Sequence, residues 1–446
     1  MNKPEHAFLR LMLGGAATLV LAACIVAFAQ DREDSVAQNE RDLIREGRQT
    51  FRFDTFGDEA FWGDTLKLHQ AIEGSAFGGV GTGVSPATAL AVGLKVDAEA
   101  LPHDLLQDIR AGKVDLNSAA TTLVLLKLNA VVGVTGFFNA NGSLKSVGIQ
   151  CALCHSTVDN SFKTAGIPAG NIGRRLDGWA NRDLNVGAIV NLSPDLNVPA
   201  KLLGVDQATV RKVLLSWGPG KFDASVFLDG KAFRPDGGTA AVLIPPAYGL
   251  AGVNLHTWTG WGSVTYWNAF VANLEMHGKG RFFDPRLNDA KQFPVAAANG
   301  FGNLMVSPDE DRITPKLGAL HAYQLSLPAP KSAKTAFNFP ADRGGELFNG
   351  KARCAQCHVP PKFTEPGWNA HKSTEMCIDS FQSDRAPDHI YRTAPLGGLF
   401  AHQKGGFYHD GRFATLRDVI EHYDACMNLQ LRDDEKSDLI QYLLTL

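Results

Sequence analysis

The chain has no marked excess of either charge. Its 446 residues carry 43 Lys and Arg against 46 Asp and Glu, which leaves a formal net charge of -3. Proteins that attract nucleic acid through their electrostatic field are normally strongly basic, so no nucleic-acid partner is predicted. No internal repeat is present beyond two copies of one five-residue pattern, and a hydrophobic content of 45% is enough for ordinary cores. The length indicates two or three globular domains.

Cysteine is scarce, but the placing of the 7 cysteines is informative. The repeated pattern has two cysteines three positions apart and a histidine directly after the second. Such thiols can add to the two vinyl groups of one porphyrin, and the imidazole then binds the iron as proximal ligand. A zinc knuckle or a thiol redox pair is the competing interpretation, but neither needs that histidine. We predict two covalently attached haem c groups, with attachment at Cys151, Cys154, Cys354 and Cys357 and iron ligands His155 and His358.

The first 30 residues predict export. A basic start precedes an apolar run from Leu11 to Ala29, after which the sequence turns polar. Three outcomes stay open: lipidation at Leu21-Ala22-Ala23-Cys24, cleavage after Ala27-Phe28-Ala29, or an uncleaved membrane anchor, for which the run is long enough. Each of them places the body outside the cytoplasm, where bacteria attach c-type haem, so we predict a periplasmic protein.

Two cysteines, Cys377 and Cys426, remain once four are assigned to haem and Cys24 to the signal. A disulfide between them would suit an oxidising compartment. Two free buried thiols fit the spacing as well, so both interpretations stay open.

The predicted fold is mainly α, with no parallel sheet. Apolar residues at helical spacing predict one helix after Asp206 and another after Thr415, and an apolar run from Ala119 to Val134 predicts a buried helix. The predicted architecture is two cytochrome c-type haem domains with an additional N-terminal segment. The predicted parts are an N-terminal segment packing on the first haem domain (residues 31–145), a middle segment that forms the first haem domain (146–327), a linker (328–340) and a C-terminal segment that forms the second haem domain (341–446).

The C-terminal segment carries two runs that resemble the second haem domain of the bacterial di-haem cytochrome c peroxidases and of their relatives, the methylamine-utilisation MauG enzymes. They are Arg392-Thr-Ala-Pro-Leu396 and Gly406-Phe-Tyr-His409-Asp410-Gly411-Arg-Phe-Ala-Thr-Leu416. The flanks of the second motif, 345–354 and 360–364, are similar to that family too. The middle segment resembles it more loosely, and the chain up to about residue 145 is not covered. The looser matches are Pro245-Pro-Ala-Tyr248, Trp258-Thr-Gly260 and Asn273-Leu-Glu275-Met276.

The resemblance implies an axial ligand for the second haem on the helix that follows the His-Asp-Gly turn. Counting from His409 places Tyr423 there, where the peroxidases have Met and MauG-like members have Tyr. A phenolate stabilises ferric and higher-valent iron, so this haem would have a low reduction potential. Tyr423 could instead be a core aromatic residue. The ligand would then be His422, His402 or Met427.

The first haem is the predicted site of reaction. The peroxidases supply a removable distal His soon after the first haem motif, but residues 156–255 contain no His and no Met. The site is therefore either open, as in MauG, or closed by a distant residue such as His256 or His277. Glu275 aligns with the distal catalytic glutamate of the family, and would move a proton from the iron-proximal oxygen of peroxide to the far oxygen. Glu275 could instead be an exposed helix carboxylate.

Trp258 aligns with the tryptophan that lies between the two haems in the family and would carry electrons between them. Trp261 and Trp267 could serve instead, and packing would explain all three. Leu243 occupies the place of an asparagine that helps the family to bind calcium. Because leucine offers no oxygen ligand, the calcium site is in doubt. The long stretch between His155 and Pro245 is a further departure and would build an additional surface near the first haem.

The resemblance implies a di-haem cytochrome c peroxidase-like enzyme. It would reduce hydrogen peroxide, or another small oxidant, with electrons from a periplasmic donor such as a small cytochrome or a cupredoxin. MauG-like oxidation or oxygenation of an organic or protein substrate is one alternative, with the di-haem rubber oxygenases as distant relatives. A pure electron carrier is another, in which both irons would be six-coordinate.

Overall fold

The computed structural model describes residues 34–162, 171–333 and 339–446. The predicted export signal lies outside these ranges, as does part of the predicted linker. Within the described residues, no helix has both the length and the apolar character needed to cross a bilayer.

The described residues form a mainly α fold, as predicted. Most helices are short and are joined by long loops that run over a central cavity. The α-helices are α1 (34–53), α2 (Leu68–Glu73), α3 (Pro86–Ala91), α4 (His103–Arg110), α5 (Ala119–Lys127), α6 (Ala152–His155), α7 (Val186–Asn191), α8 (Asn197–Leu203), α9 (Gln207–Trp217), α10 (Val226–Asp229), α11 (Val264–Phe270), α12 (Pro294–Asn299), α13 (Leu317–Ser326), α14 (Phe339–Asn349), α15 (Leu416–Met427) and α16 (Asp433–Leu443).

Side-chain caps explain where two predicted helices begin. The carboxylate of Asp206 accepts the N–H of Thr209 at 2.7 Å and starts α9. Thr415 and Asp418 form a reciprocal capping box at the start of α15. The predicted helix over 119–134 is wrong in its second half. Helix α5 ends at Lys127, because Asn129 takes a positive φ of 51° and the next residues pair as a strand.

The strands are short and pair two by two within the described residues. Four of these pairs are antiparallel, but β1 and β5 form a parallel ladder of two residues, which corrects the expectation of no parallel pairing. The strands are β1 (Val96–Asp97), β2 (Val134–Phe138), β3 (Leu144–Ile149), β4 (Ser156–Val158), β5 (Ile172–Gly173), β6 (Arg175–Asp177), β7 (Lys221–Phe222), β8 (Val242–Leu243), β9 (Phe282–Phe283) and β10 (Asn303–Leu304).

The N-terminal and middle segments share one hydrophobic core. Leu66 and Leu126 from the first pack in the same cluster as Leu196 and Trp217 from the second. The predicted boundary at residues 145 and 146 falls inside β3, which pairs with β2 and leads directly into Cys151. The hairpin therefore positions the first cysteine motif.

The C-terminal segment has a separate core formed by α14, α15 and α16, with Phe348, Ile420 and Leu439 at its centre. Cys377 and Cys426 form a disulfide, with Cα atoms 5.9 Å apart, so they are not two free thiols. The bond ties the loop after the second motif to α15.

Buried ion pairs join the middle and C-terminal segments. The side chain of Arg385 is fully buried and contacts Asp229 at 2.7 Å and Asp223 at 3.0 Å. It also donates to the carbonyls of Ala240 and Lys231. A buried guanidinium needs such partners, because an unpaired charge is strongly unfavourable away from water. These contacts hold Asp223 at the wall between the segments.

Candidate haem cavity

One continuous cavity of about 1320 Å³ lies between the two segments, and both cysteine motifs line it. Single-ligand sites usually occupy about 300–1,000 Å³, so this space is large enough for more than one bound group. The predicted residues Glu275, Trp258 and Tyr423 also line the cavity. The fold therefore brings to one space residues that are up to 272 positions apart, from Cys151 to Tyr423.

The two motif histidines are held in the same way. His155 donates its Nδ1–H to the carbonyl of Pro245 at 3.1 Å, and His358 donates its Nδ1–H to the carbonyl of Phe363 at 3.1 Å. A carbonyl only accepts, so the neutral rings leave Nε2 with a free lone pair, which is the arrangement that a hydrogen-bonded carbonyl imposes on a metal-binding histidine. Burial lowers the pKa of His155 to about 4, which keeps that ring neutral.

The motif cysteines are free thiols in environments that oppose their ionisation. Burial raises the pKa of Cys151 and Cys154 to about 12 and that of Cys354 to about 11. A thiol redox pair depends on a lowered pKa, so the raised pKa values oppose that interpretation.

Unpaired cationic groups supply the remaining evidence for the bound group. The Nε and one Nη of Arg182 are buried and have no hydrogen-bond partner among the described residues. The Nε of Arg392 is likewise buried without a partner there. Burial lowers the pKa of each guanidinium to about 10, so both remain charged at neutral pH. Both line the cavity. Unpaired buried cations require anionic partners, and haem carries two propionates, so the residues present fit two haem groups.

Glu275 ends a wide π-helical turn, Val271–Glu275, that continues α11. Its carboxyl faces the cavity close to Cys154, and burial, with a smaller contribution from the charge of Asp223, raises its pKa to about 8. Asp223 also lines the cavity. Its pKa is raised to about 6 by burial, against the opposing influence of Arg385. The Glu275 carboxyl therefore lies in the cavity wall and not on an exposed helix surface. The carboxyl of Asp223 is near enough to influence its pKa.

Trp258 lies in the wall between the segments. Its indole N–H donates to the carbonyl of Leu243 at 2.8 Å, and its own carbonyl accepts the backbone N–H of Arg392 at 3.0 Å. Trp261 and Trp267 also line the cavity. Of the three tryptophans, Trp258 is the one whose backbone is hydrogen-bonded to the C-terminal segment in the part of the chain that the structure describes. This contact favours Trp258 as the residue that connects the two segments.

Tyr423 lies on the cavity-facing side of α15, beside Cys354 and Cys357, and burial raises its pKa. His422, its neighbour in the chain, does not line the cavity and bonds the carbonyl of Met376 through Nε2 at 2.7 Å. Its ring is therefore engaged elsewhere, which removes it from the set of candidate ligands.

Met427 and His402 are also placed to bind the second haem. Met427 lines the cavity one turn beyond Tyr423 on the same helix. His402 lines it too, but its Nε2 is hydrogen-bonded to the hydroxyl of Tyr248, which leaves Nδ1 as the available nitrogen. The assignment of Tyr423 as the ligand stays a prediction.

The two histidines considered for the first haem differ in position. His256 is buried and lines the cavity, with Nε2 bonded to the carbonyl of Val253 at 3.0 Å and Nδ1 without a partner among the described residues. His277 is absent from the lining, and its ring stacks on Phe61 at 3.6 Å. If a distant histidine closes the first haem, His256 is the better placed of the two.

Comparisons with known proteins agree with the sequence motifs. No family model matches the chain. The methylamine utilization protein MauG of Methylorubrum extorquens is 24% identical over 236 residues, which cover 45% of this chain and 63% of that protein. MauG of Methylophilus methylotrophus is 26% identical over 185 residues, which cover 36% of this chain and 53% of that protein. These similarities support a place for the chain in the superfamily of MauG and the di-haem cytochrome c peroxidases. It spans less than two thirds of the length of these two curated relatives.

Two solved structures from this superfamily are similar over about half of the chain. A MauG-like protein associated with microbial copper homeostasis aligns with a TM-score of 0.31 at 17% identity, over 49% of this chain and 78% of that one. The diheme peroxidase BthA from Burkholderia thailandensis aligns with a TM-score of 0.31 at 18% identity, over 52% and 78%.

The motifs shared with the MauG and peroxidase superfamily do not include every residue at the cavity. Asp223 and Arg182 were not predicted at the cavity, because they lie outside those motifs. Their local sequences carry no signal, because a buried charge is recognised only from what surrounds it.

Proposed function

We propose that this protein is a periplasmic c-type di-haem oxidoreductase that reduces hydrogen peroxide. Peroxide would react at the haem of the middle segment, and the haem of the C-terminal segment would relay electrons to it. The haems would supply reversible electron transfer at iron and a site for peroxide. The observation that carries the proposal is the single cavity in which both cysteine motifs meet a carboxyl group with a raised pKa, that of Glu275.

Glu275 would move the proton. In its ionised form the carboxylate would take a proton from one oxygen of peroxide, and in its protonated form it would return that proton to the other oxygen, which would depart as water when the O–O bond breaks. General acid and base catalysis is most efficient when the pKa lies near the working pH, and a pKa of about 8 satisfies this condition. Asp223 contributes by keeping that pKa high.

Trp258 would connect the two segments electronically. Its indole is fixed by the bond to Leu243, and its backbone is bonded to Arg392 of the C-terminal segment. The side chain is therefore held in one orientation, as an electron relay between two redox centres requires. Electrons would enter from a small periplasmic cytochrome or cupredoxin.

Peroxide turnover by protein matured with its haem tests the proposal. Two haems per chain and steady consumption of peroxide with a reduced cytochrome donor are expected. Replacement of Glu275 by Gln should lower the turnover by about 10²–10⁴-fold. Glu421→Gln is the matched control, because Glu421 lies on the outer face of α15 and pairs with Arg417. Undiminished turnover in Glu275→Gln would remove Glu275 from the mechanism, and a chain with one haem or none would refute the proposal.

A MauG-like oxidation of an organic or protein substrate is the second candidate, and the placing of Tyr423 favours it. A phenolate ligand would stabilise the oxidised states of the second haem that such a reaction needs. Electron paramagnetic resonance of the ferric protein tests whether one haem is open to a further ligand. One high-spin and one low-spin signal indicate an open reactive haem beside a closed one, whereas two low-spin signals favour an electron carrier or a peroxidase that needs reduction first.

A further inference from the structure

An aromatic cluster lies directly behind the cavity wall that carries Glu275. Trp261 and Trp267 line the cavity with ring centroids 5.4 Å apart. Tyr266 does not line it but packs behind both, at 6.4 Å from Trp261 and 5.5 Å from Trp267. Indole and phenol are the side-chain rings that lose an electron most readily, so these three form a continuous oxidisable unit that begins at the cavity.

A chain of hydrogen bonds runs from Trp261 through Tyr266 to Asp284. Trp261 donates its indole N–H to the hydroxyl oxygen of Tyr266. Tyr266 in turn donates its O–H to Oδ2 of Asp284 at 2.6 Å. The phenol therefore has a carboxylate in place to receive its proton, and the indole would continue to donate to the oxygen after the proton has left.

Asp284 is held in its ionised form by Arg286. The guanidinium contacts both carboxylate oxygens, at distances from 2.9 to 3.2 Å, and lies over the rings of Trp261 and Tyr266. Burial alone would raise the pKa of Asp284, but the bonds from Arg286 and Tyr266 lower it below its usual value. Arg286 is 37% exposed, so the cluster extends from the cavity to the protein surface.

We infer that Tyr266 is a redox-active tyrosine that is oxidised from the first haem through Trp261 and Trp267. The inference rests on the proposed function, because peroxide is the oxidant. One electron leaves the Tyr266 ring and reduces the oxidised haem centre, with the indoles as relays. The phenolic proton passes to Oδ2 of Asp284, which leaves a neutral tyrosyl radical and a carboxylic acid. Although Asp284 is a weak base, the oxidised phenol is a strong acid, so the transfer is downhill.

A second tyrosine in the middle segment shows which part of this arrangement matters. Tyr323 also donates to a carboxylate, that of Asp177, and Asp177 is paired with Arg52. Its ring contact is Phe51 at 5.6 Å, and it does not line the cavity. Phenylalanine is far harder to oxidise than tryptophan. Among the described residues, Tyr323 therefore has the proton acceptor but no tryptophan relay from the cavity, and it is a matched control.

The experiment is rapid freezing after ferric, haem-loaded protein is mixed with hydrogen peroxide, followed by electron paramagnetic resonance and optical spectra of the same samples. A tyrosyl radical is expected in the native protein and in Tyr323→Phe, and its loss is expected in Tyr266→Phe. Asp284→Asn should reduce the radical yield, because the proton acceptor is gone. 3-Fluorotyrosine placed at position 266 alone preserves the shape of the site, and should add fluorine splitting to the radical signal.

The outcomes are distinguishable. A change in the haem spectrum without a tyrosyl radical would overturn this inference and leave the proposed function intact. A radical that survives in Tyr266→Phe, or that shows no fluorine splitting, would place the oxidised residue elsewhere and overturn it as well. A haem spectrum that peroxide leaves unchanged would refute the proposed function, and with it this inference.

Discussion

Trp258 donates its indole N–H to the backbone carbonyl of Leu243 at 2.8 Å. The backbone N–H of Leu243 donates in turn to the carbonyl of His409 in the C-terminal segment, at 2.7 Å. One short chain of hydrogen bonds thus connects the tryptophan of the middle segment with the His-Asp-Gly turn. Leu243 fixes Trp258 through its backbone.

Replacement of Trp258 by Phe should slow electron transfer between the haems. The change removes both the oxidisable indole and its bond to Leu243, while an aromatic ring continues to fill the space. Flash photolysis of the carbon monoxide complex of the partly reduced protein measures the rate. Trp368→Phe is the control, because Trp368 is 79% exposed and does not line the cavity. Equal rates in the two variants would contradict a relay role for Trp258.

The rate of reaction with peroxide should rise with pH and level off above the pKa of Glu275. Burial raises this pKa to about 8, so the ionised carboxylate that accepts the proton becomes more abundant as the pH increases through that value. Replacement of Asp223 by Asn removes a nearby negative charge, which favours ionisation of Glu275. The midpoint of the pH profile should therefore move to lower pH.

Stopped-flow measurements between pH 5 and pH 10, a range of about two units or more on either side of the midpoint, would record this profile. Asp236→Asn is the control, because Asp236 is exposed and is not among the charges that influence Glu275. A midpoint that moves to higher pH in Asp223→Asn would show that the two carboxylates do not interact as the structure indicates.

Replacement of Tyr423 by Phe should change the ferric spectrum and raise the reduction potential of the second haem, since it deletes an anionic oxygen donor. The altered signal should be confined to one haem in both electron paramagnetic resonance and optical titration. Met427→Leu, one turn further along α15, should leave that spectrum unchanged. If the two variants exchange these results, Met427 is the ligand.

Replacement of Arg385 by Met should lower the free energy of unfolding by about 3–5 kcal/mol, because it leaves the buried carboxylates of Asp223 and Asp229 without their cation. Denaturant titration followed by circular dichroism measures the effect. Arg343→Met removes an ion pair with Asp438 in which the arginine is 59% exposed, and should change stability far less, because exposed ion pairs contribute little. A comparable loss in both variants would mean that burial of Arg385 adds nothing.

Local chemistry explains why some features could be predicted from the sequence. A cysteine–histidine motif is complete within five residues, and its haem chemistry needs no knowledge of the fold. Helices α9 and α15 begin where Asp206 and Thr415 accept a backbone N–H three residues further on, so their starts could be predicted too. The boundary at residue 145 could not be predicted in the same way. The pairing of β2 with β3 depends on the core that the N-terminal and middle segments share.

The sequence by itself determined which chemical groups are available to the cavity: two cysteine–histidine motifs, a glutamate and a tyrosine. The tertiary structure alone decided the pKa values and the hydrogen-bond partners of the groups at the cavity. The pKa of Glu275 depends on burial and on Asp223, 52 positions away in the chain, and the hydroxyl of Tyr266 donates to Asp284, 18 positions away. Electrostatic interactions and desolvation act through space, so residues that are distant in the sequence set the behaviour of those at the site.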